Sequence, residues 1–331
     1  MESPGYYEAI ARHYDEIFPI NPVALALMKE LAGSSPTHIL DIACGNAAYA
    51  TALSSDGYLV EGVDLDAGMI RAAQGKKSSQ KKREPDAASV RHETEALARE
   101  NVQPDTDSPR LLQGDMLHLD SLGLTSPQFA YCIGNSLVHL SDYKQVGAFL
   151  EQVYNLLQPN GHLLIQILNY NRILHDHVMK LPDIRRADGS LLFERFYEYD
   201  LPGGASHMPH ADTAPESSAS KAPGTEPTAP ESSVSKAPGT ESSGTESSGT
   251  KSSAEAVPVH IRFHTRLHVE GKILESTIPL IALDSETLES LLEAAGFQHI
   301  MLYGDFKRTT YDPATSYALV VTAMKRSVIL L

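Results

Sequence analysis

The residues best placed to do chemistry stand where apolar runs end. In Asp41-Ile42-Ala43-Cys44-Gly45-Asn46-Ala47 an apolar stretch gives way to small side chains and then to a helix-compatible segment. Small residues let the chain turn sharply and let a ligand approach the backbone. The amides that open the following helix favour polar or anionic ligand atoms. A plain turn between strand and helix has the same appearance. Roughly twenty residues on, at the end of a second apolar run, stands Asp64, where a carboxylate can accept both hydroxyls of a ribose. Asp66 reads instead as the cap of the next helix. An acid at this spacing is a nucleotide signature, yet the GxGxxG pattern is absent. A pyrophosphate would be poorly cradled, so a ligand without phosphates fits better than NAD.

The run LDIACGNA, then VEGVDLDAGM, then Gly114-Asp115-Met116, resembles the class I S-adenosylmethionine-dependent methyltransferases. That resemblance implies S-adenosylmethionine as cofactor. Asp41, Ala43 and Gly45 would lie along its methionine and ribose, Asp64 at the ribose hydroxyls, and Asp115 and Met116 at the adenine, with Leu65, Ile133 and Gly134 also among the cofactor-binding residues. Tyr6, Tyr7 and Tyr14 sit on an amphipathic segment, Tyr6 to Phe18, which reads either as a helical lid closing over the cofactor, Tyr14 touching it, or as a helix packed on the sheet.

Within that class, residues 132–140 (CIGNSLVHL), 169–174 (NYNRIL) and 304–307 (GDFK) are similar to the glycine and sarcosine N-methyltransferase group. The similarity implies a small-molecule acceptor, with Gly134, Asn135 and His139 lining the crevice where it meets the sulfonium. Asn135 would orient the acceptor and His139 would hydrogen-bond or accept its proton, while Asn169, Tyr170, Arg195 and Tyr197 would complete the acceptor pocket. Read without the resemblance, Asn135 is a helix cap and His139 a packed surface residue, and Tyr197 is equally an exposed strand residue. One departure stands out. Leu168 and Asn171 occupy positions where the glycine-methylating enzymes carry an Arg and an acid, so the expected carboxylate clamp is missing and glycine itself is a doubtful acceptor. Arg172, Arg195 and Arg262 are the nearby cations available to replace it, and each reads otherwise as a surface or structural arginine.

These residues need a scaffold that gathers strand ends. Short apolar runs at His38 to Ala43, Tyr58 to Asp64, Leu111-Leu112, Phe129 to Ile133 and His162 to Leu168 alternate with helical stretches, notably Asp142 to Leu157. Such alternation predicts an α/β fold: a doubly wound, mainly parallel Rossmann-like sheet covered on both faces. Ser285 to Ala295 predicts a further helix, followed by strands near Phe297 to Tyr303 and Tyr317 to Met324 as a hairpin-like edge. Leu191 to Tyr199, Val259 to Val269 and Ile273 to Ile281 predict a small antiparallel β cap inserted after the fifth strand, where substrate specificity would reside.

The division expected is a cofactor-binding core with its N-terminal helical lid over 1–170, a β-rich cap over 171–283, and the last part of the core sheet over 284–331. A Lys/Glu-rich stretch at 75–109 reads as a surface insertion. Residues 204–256, built from repeats such as TAPESSASKAPGTE, bury too little to offset the entropy of ordering and read as a disordered tract.

Composition narrows the function classes. The 331 residues carry Lys+Arg 27 against Asp+Glu 42, a formal charge of -15 that would repel a phosphate backbone, so nucleic acid is not the expected partner. No run approaches the ~20 apolar residues of a membrane span, and the N-terminus lacks the parts of a signal peptide, so a cytoplasmic location without membrane contact is expected. Cys44 and Cys132 each lie in an apolar run, which predicts buried thiols in a reducing compartment and no structural zinc. Oligomeric state is not legible.

Overall fold

The computed structural model describes residues 6–81, 108–199 and 258–326. Most of the stretch expected as a surface insertion, the low-complexity repeat and the Tyr7 side chain lie outside the described residues. In chain order the helices are α1 (Tyr6–Ile17), α2 (Pro22–Ala32), α3 (Ala48–Ser55), α4 (Ala67–Lys81), α5 (Tyr143–Leu156), α6 (Tyr170–His175) and α7 (Ser285–Ala294). The strands are β1 (His38–Ile42), β2 (Leu59–Asp64), β3 (Arg110–Gln113), β4 (Phe129–Cys132), β5 (His162–Leu168), β6 (Lys180–Arg185), β7 (Leu191–Glu198), β8 (His260–Val269), β9 (Lys272–Ile281), β10 (Phe297–Tyr303) and β11 (Ala318–Lys325).

Seven strands make the central sheet in the order β10-β11-β5-β4-β1-β2-β3. Strands β3, β2, β1, β4 and β5 run parallel, and β11 lies antiparallel to both β5 and β10. Side chains alternate between two cores, as the strand period of two requires. Leu40 and Ile42 of β1, Ala130 and Cys132 of β4 and Leu163, Ile165 and Ile167 of β5 pack toward α5 and α7. Ile39, Phe129, Tyr131 and Leu164 pack on the other face with α2 and α3. Burial on both sides is why these strands read as unbroken apolar runs. The strand order reverses between β1 and β4, and this switch point opens a crevice beyond their carboxyl ends.

A second sheet, β6-β7-β8-β9, is antiparallel throughout and forms the cap. The repeat falls within the connection from β7 to β8. Helix α1 packs Tyr6, Ala9, Ile10 and Ile17 against Leu191, Phe193, Leu267 and Val269 of the cap and against Met69 of α4, so it clasps cap to core. Thr265 on β8 also shares a hydrogen bond with the Tyr6 hydroxyl.

Four details differ from the sequence reading. The last two strands pair antiparallel, but β11 lies inside the sheet between β5 and β10, because its Leu319 to Ala323 are buried. Helix α4 continues past Ala73 to Lys81. Helix α2 was not anticipated, although Asn21 caps it by accepting from the Val23 amide at 2.9 Å and Pro22 opens it. Strand β6 escaped notice because Pro182 and its charged neighbours fit only a sheet edge.

Candidate active site

The turn after β1 has left-handed backbone at Ala43 (φ 59°), Gly45 (φ 55°) and Ala47 (φ 58°). Non-glycine residues take this conformation at a cost of about 1 kcal/mol or more each, which the surrounding packing must hold in place. The result is a strand end that bends away at once, leaving room above it. Small side chains are required there: a Cβ on Gly45 would lie 3.1 Å from the Tyr14 hydroxyl, which reaches over the turn from α1.

Asp64 ends the neighbouring strand and is tied to this turn. Its Oδ2 accepts from the Gly45 amide at 2.7 Å and its Oδ1 from the Asp66 amide at 2.9 Å. Burial raises its pKa, and those two amides pull it back. Asp66 caps α4, its carboxylate accepting from the Met69 amide at 2.8 Å, as expected from sequence. Asp41 lies buried below the turn. Burial pushes its carboxyl up to about 7, and the charge of Asp64 acts in the same direction. The Tyr14 phenol is also raised, first by burial and then by Asp64 and Asp41, so it stays protonated and able to donate. Cys44 and Cys132 are free and buried, and burial raises the Cys132 thiol to about 12.

From β4 the chain again turns left-handed, at Gly134 (φ 77°) and Asn135 (φ 68°). The Gly134 amide donates to Gln166 Oε1 at 2.8 Å, and Asn135 Oδ1 accepts from the Leu168 amide at 2.9 Å. Asn135 Nδ2 donates to the Tyr170 hydroxyl at 3.0 Å. Asn135 therefore lines the crevice but spends most of its amide bracing β4 against β5. Ser136 and His139 follow on a short 3-10 turn. The His139 ring opens onto the crevice and stays accessible to solvent, and partial desolvation by the walls around it lowers its pKa.

Two cavities meet here. One, of about 260 Å³, is lined by Asp64, Leu65, Asp115, Met116 and the β1 and β4 turns. The other, of about 390 Å³, is lined by Tyr14, Asp41, Asn46, Asn135, Leu168 and the inner face of the cap. Ala43, Ser136 and His139 border both. Gly45 adjoins them through Tyr14, and Ile133 and Gly134 line the larger. The arrangement suits a long ligand lying across two strand ends, with a second molecule approaching from the cap. Asn46 adds an orphaned acceptor: its Nδ2 donates to Asp15 at 2.8 Å, whereas its buried Oδ1 has no partner among the described residues.

Three acceptor-side expectations are corrected. Asn169 is fully buried and faces the C-terminal loop, its Nδ2 reaching the carbonyls of Asp312, Pro313 and Ser316. Tyr170 is buried behind Asn135 rather than exposed to the crevice. Tyr197 lies in the core against Phe263, with ring centroids 5.3 Å apart, so it backs the wall without forming it. Arg195 does line the larger cavity. Gln166 was overlooked; it holds the Gly134 amide and lines the same cavity, and a lone amide inside HLLIQIL was the available signal.

Comparison with known proteins shows which chains this one is similar to. A family model described as a methyltransferase domain matches residues 12–200. A provisionally named methyltransferase of Geobacillus sp. (strain WCH70) is 23% identical over 180 residues, 53% of this chain and 61% of that one. Glycine N-methyltransferase of Mus musculus is 26% identical over 142 residues, 41% of this chain and 42% of that one. The chain thus spans less than two thirds of the length of these curated relatives. The crystal structure of an S-adenosylmethionine-dependent methyltransferase from Clostridium acetobutylicum shares the fold, with a TM-score of 0.61 at 13% identity, covering 97% of this chain and 99% of that one.

Proposed function

The chain belongs to the methyltransferase-domain family, and from that premise we propose that it transfers the methyl group of S-adenosylmethionine to a small-molecule acceptor, at an amine nitrogen. The observation that carries this reading is the pair of cavities joined at Ala43, Ser136 and His139. One has the Asp64 carboxylate in its wall, which supports its reading as the adenosine site, and the other lies under the cap.

The residues fit the cofactor. Asp64 would accept the ribose hydroxyls, Leu65, Asp115 and Met116 would border the adenine, and Asp41, Gly45 and the orphaned Asn46 carbonyl would face the methionine portion. S-adenosylmethionine supplies a sulfonium-activated methyl group when bound. What remains for the protein is to position a nucleophile about 3 Å from that carbon and to exclude water. An ammonium has no lone pair, so the acceptor nitrogen must lose a proton before attack. His139, kept neutral by its surroundings and facing both cavities, is the group to accept it. Asn135, Gln166 and Leu168 shape the floor on which the acceptor rests. Glycine N-methyltransferase, matched above, supports nitrogen as the accepting atom.

The test is incubation with labelled S-adenosylmethionine and two cell-extract pools, one of metabolites and one of macromolecules. Label in the metabolite pool is expected. Label confined to protein or RNA would replace the small-molecule reading, and cofactor binding without turnover on either pool would make the chain a binding protein.

A further inference from the structure

Arginines 172, 195 and 262 were the cations available to replace a missing carboxylate clamp, and cross-strand register separates them. Arg262 pairs with Glu198 across β7 and β8 and makes an ion pair with it at 2.9 Å, on the cap face turned away from the crevice. Arg172 lies over the Tyr317 ring, 5.7 Å from its centroid. Arg195 stands in register with Leu181 on β6 and Thr265 on β8, and Thr265 with Ser276 on β9. Residues opposite one another point to the same side of a sheet. All four of this row line the larger cavity.

Arg195 is the one arginine or lysine among the described residues lining either cavity. It makes no ion pair among the described residues. One Nη donates to the Pro182 carbonyl at 2.7 Å, and its Nε is buried with no partner among the described residues. A guanidinium held half-buried with unused donors favours an oxyanion that can take them in a bidentate fashion. The cofactor's own carboxylate would have other partners in the amides opening α3, where Ala47 contributes no side-chain cap and Ala48 and Tyr49 line the same cavity.

We propose that Arg195 anchors an oxyanion carried by the methyl acceptor, so that the acceptor spans the larger cavity with its amine at His139 and its negative group at the cap. The inference rests on the methyltransferase reading above. Carboxylate and phosphate share the required chemistry.

The experiment compares methyl transfer from labelled S-adenosylmethionine to three sets of amines: α-, β- and γ-amino acids, O-phosphoethanolamine, and their neutral counterparts, the matching carboxamides and ethanolamine. Wild type, Arg195→Lys and Arg195→Gln are measured, with cofactor affinity by calorimetry and folding by circular dichroism as controls. The expected result is a preference of about 100-fold in kcat/KM for one anionic set over its neutral partners. Arg195→Gln abolishes that preference, Arg195→Lys retains part of it, and cofactor affinity stays within about threefold in both. Which anionic set is used identifies the oxyanion. No turnover of any anionic amine, an anionic preference that survives Arg195→Gln, or a parallel loss of cofactor affinity overturns the proposal, the last by moving Arg195 onto the cofactor's carboxylate. Methylation of the metabolite pool without anionic preference removes this inference alone; absence of cofactor binding removes the function reading first.

Discussion

The Gly45 amide donates to Oδ2 of Asp64 at 2.7 Å, so the turn after β1 and the acid ending β2 are one unit rather than two neighbouring motifs. The bond fixes the carboxylate at the mouth of the smaller cavity while leaving lone pairs on both oxygens for a ligand. Asp64→Asn keeps the shape but exchanges a charged acceptor for an amide that presents only one carbonyl. Hydrogen bonds to a charged group contribute about 1.5 to 3 kcal/mol each. Affinity for S-adenosylmethionine should fall by about 100-fold in calorimetry of the folded protein, and the thermal transition should fall modestly, because the Asn amide nitrogen can no longer accept from one of the Gly45 and Asp66 amides. A loss under threefold would show that Asp64 does not hold the ribose.

Asp41 offers a proton-linkage test. Its carboxyl titrates at about 7 in the free protein, because burial and Asp64 both disfavour its charge. A bound cation beside it favours the charge and lowers that value. Uptake of S-adenosylmethionine below pH 7 should therefore release a proton, and affinity should weaken as pH falls below 7, by up to about tenfold per unit. Calorimetry in buffers of different ionisation enthalpy measures the proton directly. Asp41→Asn should bind with no such release; an identical release in the variant would assign the proton elsewhere.

The parts of this molecule that could be read from sequence are those where one local pattern has one outcome. Strands β1, β4 and β5 are buried on both faces, so their apolar runs and terminal small residues announced both the sheet and the crevice. The acceptor side depends on which face of the cap each residue joins, and that is decided by pairing between strands far apart in sequence. Arg195 and Arg262 look alike on paper, yet register sends one into the cavity and the other to Glu198. Asn169 and Tyr170 fit a family motif well, but their side chains are spent on the C-terminal loop and on Asn135.

Asn169 provides a stability prediction that separates these roles. Its Nδ2 reaches three backbone carbonyls in the 312–316 loop, and its Oδ1 accepts from the Arg172 amide and the Tyr311 hydroxyl. Asn169→Ala removes this set of bonds from a fully buried side chain, although Tyr311 keeps Asn171 and the Asp312 and Pro313 carbonyls can turn to water, a loss of about 2 kcal/mol. Denaturant unfolding should show that loss while cofactor affinity of the folded fraction stays within about twofold. A variant of wild-type stability with impaired acceptor binding would return Asn169 to the acceptor pocket.

His139 borders both cavities, and its pKa is lowered by desolvation. A lowered value means the ring is neutral at pH 7 and gains its proton only below the ordinary range near 6.5. His139→Gln retains a polar side chain of similar reach but cannot accept a proton, so kcat should fall by about 100-fold while cofactor affinity holds. The acceptor amine has its own ionisation, which shapes the raw pH profile of either protein. Dividing the wild-type rate by the variant rate at each pH cancels that contribution. The ratio should be flat from about pH 7 upward and decline below about pH 6.5 as His139 is protonated and its advantage lost. A ratio independent of pH down to 5 would mean that His139 contributes position alone and that the proton leaves by another route.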